Sequence, residues 1–223
     1  MLKSDTGRLC AGPQARGTTT KGATDLLLDI RQLRVGRVSA AGLGAGTGER
    51  VLLAGPSGSG KSLFFRALAD LIPWEGEVRL DGTSVHEQPA HQWRRRVMLV
   101  EADSAWWADQ VRDHFPPDSD PPLEALGLST ALLDAAPGRI SSGQRQRLAV
   151  LRALARAPAV LMLDEPTANL DETSTARLES LLRDWTARGG LLLMTSHEPA
   201  QQRRLATRFW QVGDDGQVRE EGP

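Results

Sequence analysis

Apolar positions along this chain fall into short runs that alternate, in its second half, with stretches of helical spacing. Leu26 to Leu33 opens the pattern with strand-like apolar content. A Gly/Ala-rich stretch, Ala40 to Gly48, leads to Glu49–Ala54, whose apolar end predicts a short buried strand. Gly55 to Gly60 is a glycine-rich loop, after which Leu63, Phe64, Ala67, Leu68 and Leu71 share one face of a helix over Lys61–Leu71. Pro73 and Gly76 end that helix. Val78–Gly82 predicts a strand running into a turn, and Val97–Val100 another strand. Prolines and aspartates crowd Pro116 to Pro122, a loop at the edge of a small helical region that ends near Ser141. Then come a helix (Gly143–Arg156), a strand (Ala159–Leu163), a helix (Glu172–Arg188), a strand (Leu191–Thr195), a helix (Glu198–Leu205) and the apolar Phe209–Val212. Strands alternating with helices predict an α/β fold with right-handed crossovers and a parallel sheet covered by helices. Residues 1 to about 24 lack such periodicity and predict a disordered tail, leaving 25–223 as the folded part.

Composition narrows the classes. A net charge of -1 gives no reason to expect nucleic acid as a partner. The single cysteine, Cys10, excludes an internal disulfide and fits a reducing compartment. The longest apolar runs have the length of buried strands rather than of a bilayer span, so action at a membrane requires docking on another protein. Basic residues are almost all arginine: lysine occurs only at Lys3, Lys21 and Lys61. A lysine kept in mid-chain against that bias points to a need for a compact ammonium at Lys61.

Gly55-Pro56-Ser57-Gly58-Ser59-Gly60-Lys61-Ser62 fits the P-loop pattern G-x-x-x-x-G-K-[ST] at every fixed position, between an apolar strand and a helix. Glycines let backbone N–H groups turn inward around phosphate oxygens, and the helix N-terminus adds favourable potential. Lys61 is placed to reach the β- and γ-phosphates of ATP, and the Ser62 hydroxyl to ligate Mg²⁺. Val160–Leu163 ends in Asp164 and Glu165. Asp164 is the candidate Mg²⁺ ligand and Glu165 the candidate base for an attacking water, since neighbours on a strand point in different directions.

Ile140-Ser141-Ser142-Gly143-Gln144 resembles the LSGGQ signature of ATP-binding cassette (ABC) ATPases, with Ile for Leu and Ser for the first Gly. Alone it would read as a serine-capped helix; its order after a P-loop and before Asp164-Glu165-Pro166-Thr167 makes it specific. Ala168-Asn169-Leu170-Asp171 looks like the family's D-loop, and Thr195-Ser196-His197 looks like its switch-histidine segment. The resemblance runs from about Leu26 to the C-terminus. It implies a P-loop NTPase fold: a RecA-like core, a small β-rich region and a helical subdomain at about 103–150. It implies Mg·ATP hydrolysis, with His197 at the γ-phosphate and with Ser141, Ser142, Gly143, Gln144 and Asp171 meeting the nucleotide of a second copy. Glu165, His197 and Lys61 are its catalytic set, and Gly55 to Leu63 its nucleotide loop. The implied partners are a second cassette (a homodimer) and a membrane-spanning transporter subunit, on the cytoplasmic face of the cell membrane. The stretch Gln88–Pro116 looks most like small bacterial metal- or iron-export subunits.

Three departures stand out. Ala102 falls where the family's Q-loop glutamine is expected, flanked by Glu101 and Asp103. No aromatic lies between Leu26 and Gly55, so base stacking is weak or falls to an aliphatic residue such as Val35. Leu63 replaces the hydroxyl residue usual after Ser62. Trp106-Trp107 lies beside the altered Q-loop, either as a partner anchor or as loop aromatics folded onto the helical region. Rival readings are an ABC-type DNA-repair ATPase, which usually carries coiled-coil insertions absent here, a non-hydrolysing nucleotide-gated module, and a P-loop kinase.

Overall fold

The computed structural model describes residues 26–221, so the tail expected over residues 1–24 lies outside them. Ten strands form one sheet: β1 (Leu26–Val35), β2 (Val38–Gly46), β3 (Arg50–Ala54), β4 (Glu75–Leu80), β5 (Thr83–Ser84), β6 (Val97–Val100), β7 (Val160–Leu163), β8 (Leu191–Met194), β9 (Arg208–Val212) and β10 (Gln217–Glu221). The helices are α1 (Lys61–Leu68), α2 (Ala90–Arg96), α3 (Ser142–Leu154), α4 (Glu172–Ala187) and α5 (Pro199–Leu205). The sheet order is β5-β4-β1-β2-β10-β9-β3-β8-β7-β6. Five adjacent strands, β9, β3, β8, β7 and β6, run parallel. β1, β2, β4 and β5 are antiparallel, and β10 joins the halves, antiparallel to β9 and parallel to β2.

The continuous apolar runs follow from burial on both faces of the parallel half. Successive residues go to opposite cores: Leu53, Met162 and Leu193 pack with Phe64, Phe65 and Trp210. Leu52, Leu161, Leu163, Leu192 and Met194 pack with Leu148, Leu178 and Trp185. In β1 the period slips: Leu27, Leu28 and Ile30 are buried, then Leu33 and Val35. A register shift between Ile30 and Gln32 supplies the extra residue that turns Leu33 inward.

Several elements differ from the expectation. The Gly/Ala-rich lead-in is strand β2, paired with β1 over its length; its small side chains carry almost no hydropathy signal. α1 stops at Leu68, Asp70 turns the chain at φ 56°, and Leu71 is exposed rather than buried. α2 hides in a polar stretch and is anchored by the fully buried Trp93, whose Nε1 donates to Leu68 O at 2.8 Å. Between β6 and α3 the backbone forms four 3-10 turns, at Val111–His114, Leu123–Leu126, Thr130–Asp134 and Pro137–Arg139, rather than long helices. Prolines at 116, 117, 121, 122 and 137 interrupt the hydrogen-bond ladder a longer helix would need.

Candidate functional site

Three loops leave the C-terminal edges of neighbouring parallel strands. Gly55–Gly60 follows β3, Thr195–His197 follows β8, and Asp164–Leu170 follows β7. Ladder pairs Leu52–Met194 and Leu163–Met194 bring the three strand ends level. Sites in open α/β sheets lie on this edge.

The first loop is built around a buried cation. Lys61 is 7% exposed, and its Nζ donates to Gly55 O at 2.9 Å and Pro56 O at 3.0 Å. It meets no carboxylate among the described residues, and a buried ammonium without a counter-charge is costly. An ammonium has three protons, so one remains for an anion. Around it, the N–H groups of Gly58, Gly60, Lys61, Ser62 and Leu63 find no protein acceptor among the described residues, and the buried Ser59 Oγ has no partner. Gly60 sits at φ 108°, and a Cβ there would lie 2.3 Å from Val38 Cγ2. Only glycine lets β2 approach this closely while the loop stays open. Unpaired N–H groups, a helix N-terminus and a buried cation together fit a polyphosphate.

The other two loops are tied to each other. The buried Thr195 hydroxyl donates to Asp164 Oδ1 at 2.7 Å and accepts from Glu165 N–H at 2.9 Å. That second bond holds Glu165 at φ 49°, a conformation uncommon for a residue with a side chain. The bend turns the Glu165 carboxylate to His197, whose Nε2 lies 2.8 Å from Oε1. Asp164 keeps one carboxylate oxygen and Ser62 its hydroxyl without a protein partner among the described residues. No group of three or more His, Cys, Asp or Glu forms a metal cage among the described residues. One carboxylate plus one hydroxyl, completed by phosphate oxygens and water, is a donor set suited to Mg²⁺.

A family model described as ABC transporter matches residues 39–168. The chain belongs to the ABC transporter family. It is similar to the phosphate import ATP-binding protein PstB of Pyrobaculum aerophilum, 38% identical over 205 residues, covering 77% of this chain and 78% of that one. The thiamine import ATP-binding protein ThiQ of Cereibacter sphaeroides is 35% identical over 184 residues, covering 75% of this chain and 78% of its own length. In structure the chain resembles the dimeric ATP-binding cassette MJ0796 in its post-hydrolysis state bound to ADP and Pi. The TM-score is 0.68 at 22% identity, over 89% of this chain and 96% of that chain. The P-loop NTPase fold and the transporter-ATPase class expected from the motifs are thereby established; the chain is an ATP-hydrolysing cassette subunit.

Within this ABC chain the signature segment stands apart from the P-loop. Ser141 caps α3: its Oγ accepts from Gln144 N–H at 3.2 Å while Gln144 Oε1 accepts from Ser141 N–H at 3.0 Å. Ser141 and Ser142 are exposed, and Gly143 is pressed against the loop after β7, where a Cβ would lie 2.9 Å from Asn169 O. No hydrogen bond joins this segment to residues 55–63 among the described residues. Asp171 is the N-cap of α4, accepting from Ser174 N–H at 2.7 Å. That backbone bond holds its carboxyl below the usual range.

The departures also find places. Val35 is buried in the core, so it presents no face to a base. At the hairpin tip Arg37 donates to Gly58 O in the P-loop. Arg37 was not singled out in the sequence, since a turn residue carries no motif of its own; Thr195 was noted only as part of the switch-histidine segment, with no role of its own. Leu63 turns its side chain to the core, leaving only its N–H toward the loop. Glu101 accepts from Arg66 Nε at 2.6 Å, while Ala102 and Asp103 are exposed. Trp106 is half-buried and Trp107 is 70% exposed, both edge-on to the buried His114 and both lying under the Arg152 guanidinium.

Proposed function

We propose that this ABC subunit hydrolyses Mg·ATP at the edge of β3, β8 and β7, as one half of a homodimer that drives a membrane-spanning transporter subunit. The observation that carries the reading is the buried Lys61, without a carboxylate partner and among N–H groups without a protein acceptor among the described residues, set beside the Asp164–Thr195–Glu165–His197 chain of bonds. Gly55 to Gly60 and the N–H groups of Lys61, Ser62 and Leu63 hold the phosphates, and Lys61 neutralises their charge. Ser62 and Asp164 would hold Mg²⁺, which would supply positive charge against the phosphate oxygens. Glu165 orients a water and takes its proton. His197 holds Glu165 and meets the γ-phosphate from the other side. Thr195 keeps Asp164 and Glu165 at fixed separation, so little reorganisation is needed at reaction.

Ser141, Ser142, Gly143 and Gln144 face the nucleotide of the second copy, where the N-terminus of α3 favours its negative charge. Asp171 shapes that face by capping α4, with its carboxylate turned to its own helix. Residues 25–223 form one ABC domain, with the segment at about 103–150 as its arm toward the membrane subunit and Trp107 as its exposed anchor. On this reading the chain works on the cytoplasmic side of a membrane, docked on that subunit. The import names of the relatives favour import over the export type suggested by Gln88–Pro116. Light scattering tests the dimer: Glu165→Gln with Mg·ATP doubles in mass, while Glu165→Gln/Ser141→Arg stays monomeric. A monomeric Glu165→Gln chain at saturating Mg·ATP would refute the sandwich.

A further inference from the structure

Behind the Glu165–His197 pair, two hydroxyls converge on one atom. Thr167, on the loop that carries Glu165, donates to Gln201 Oε1 at 3.0 Å. Ser196, next to His197, donates to the same oxygen at 2.6 Å. Gln201 comes from α5 and is fully buried. Its Nε2 faces Glu179 Oε1 of α4 at 3.4 Å, and Glu179 is itself buried. Arg204 Nη2 and Nε lie 2.9 and 3.3 Å from the two Glu179 oxygens, and Arg183 Nη1 lies 3.5 Å away. An ionised carboxylate only accepts hydrogen bonds, so the amide nitrogen of Gln201 must face it. The amide oxygen is then left for the two hydroxyls. Arg204 and Glu179 thereby orient Gln201, and Gln201 orients the two loops.

The pair needs such help. The His197–Glu165 contact is largely exposed, and an exposed pair contributes little rigidity by itself. Thr195 ties the loops at their roots, beside the strand ends. Gln201 ties them to each other a second time, further along both loops; Gln202 and the Glu198 N–H also bond Ser196, but neither reaches the loop that carries Glu165. We infer that Gln201 is a positioning residue for hydrolysis: through Thr167 and Ser196 it fixes Glu165 and His197 relative to each other, with Glu179 and Arg204 setting its orientation. This rests on the roles proposed above for Glu165 and His197.

The test uses the full chain, with phosphate release, equilibrium ATP binding and melting measured for each variant. Thr167→Val and Gln201→Leu should lower kcat at least about tenfold, because misplacement of about 1 Å is costly to a water-orienting pair. KM and the ATP dissociation constant should stay within about threefold, since the P-loop is untouched. Thr167→Ser keeps the hydroxyl and should recover kcat, which a packing role for the methyl group would not allow. Without nucleotide, the His197 ring resonances, identified by their loss in His197→Ala, should move in Thr167→Val and stay in Thr167→Ser. If Gln201→Leu fails to fold, the two Thr167 variants decide. Wild-type kcat in folded Thr167→Val overturns the inference, as do equal losses in Thr167→Val and Thr167→Ser. Glu165→Gln in the same assay separates the two levels. Unimpaired turnover there removes the site reading and this inference with it; abolished turnover beside an unaffected Thr167→Val removes this inference alone.

Discussion

Replacing Thr195 by valine keeps the shape of a fully buried side chain and deletes one hydroxyl. That hydroxyl serves two neighbours, donating to Asp164 at 2.7 Å and accepting from Glu165 N–H at 2.9 Å. A bond to a charged group contributes about 1.5–3 kcal/mol, and an N–H left without a partner costs about 1–3 kcal/mol. Water can reach the half-buried loop and recover part of this, so the net loss is about 3 kcal/mol. For a domain of this size that lowers Tm by about 6–12 °C. Function should suffer separately. Without its N–H bond the Glu165 turn loses what holds its positive φ, which costs about 1–3 kcal/mol on its own. Its carboxylate then swings from His197, and kcat falls at least about tenfold with ATP affinity nearly unchanged. Thr195→Ser, which keeps the hydroxyl, should retain most of both properties. Scanning fluorimetry and a coupled phosphate assay on the three proteins read this directly. A Thr195→Val protein melting within 2 °C of wild type, with kcat within about twofold, would refute the claim that this hydroxyl holds the site together.

Three further outcomes follow from the same geometry. Gly60→Ala should melt well below Gly58→Ala, because its Cβ meets Val38 Cγ2 at 2.3 Å whereas at Gly58 nothing lies within 4 Å. The left-handed backbone alone costs about 1–2 kcal/mol at either position, so equal melting points would contradict the close approach of β2. Glu179 is held below its ordinary pKa: burial alone would raise it, but the bonds and charge of Arg204, the bond from Gln201 and the charge of Arg183 overcome that. Its contribution is therefore complete above the unfolded-state value, about 4.3, and is lost as pH falls through the lower folded-state value. Glu179→Gln should flatten the acid limb of a stability–pH curve, and an unchanged limb argues against the buried ion cluster. Trp107→Ala should leave phosphate release by the isolated chain unchanged and weaken co-purification with the membrane subunit; undiminished co-purification would remove Trp107 as an anchor.

Much of this was legible in the sequence because it rests on local chemistry. A P-loop, an apolar strand ending in Asp164-Glu165 and a histidine after another buried strand each announce themselves within a few residues. β7, β8 and β3 beyond Arg50 are apolar because both faces are covered, so they stood out as runs. β2 and β10 did not, since Ala, Gly and charged residues form strands there only because β1 and β9 lie alongside to pair with them. α2 was hidden because only one of its side chains, Trp93, is buried, too few to set a hydropathy period. The ties between loops were invisible for a different reason. Thr195 and Gln201 are distant in sequence from the groups they hold, and nothing in a threonine or glutamine alone signals a bond across 30 residues or more. Val35 suggested itself from hydropathy at the right place, but the bulge in β1 turns it inward.

The central claim, that this edge of the sheet hydrolyses Mg·ATP, is tested most directly by phosphate release from the purified chain beside Glu165→Gln and Lys61→Ala. Wild type should release phosphate in a Mg²⁺-dependent manner; Glu165→Gln should bind ATP without turnover, and Lys61→Ala should lose tight binding. Turnover by Glu165→Gln at the wild-type rate would contradict the account.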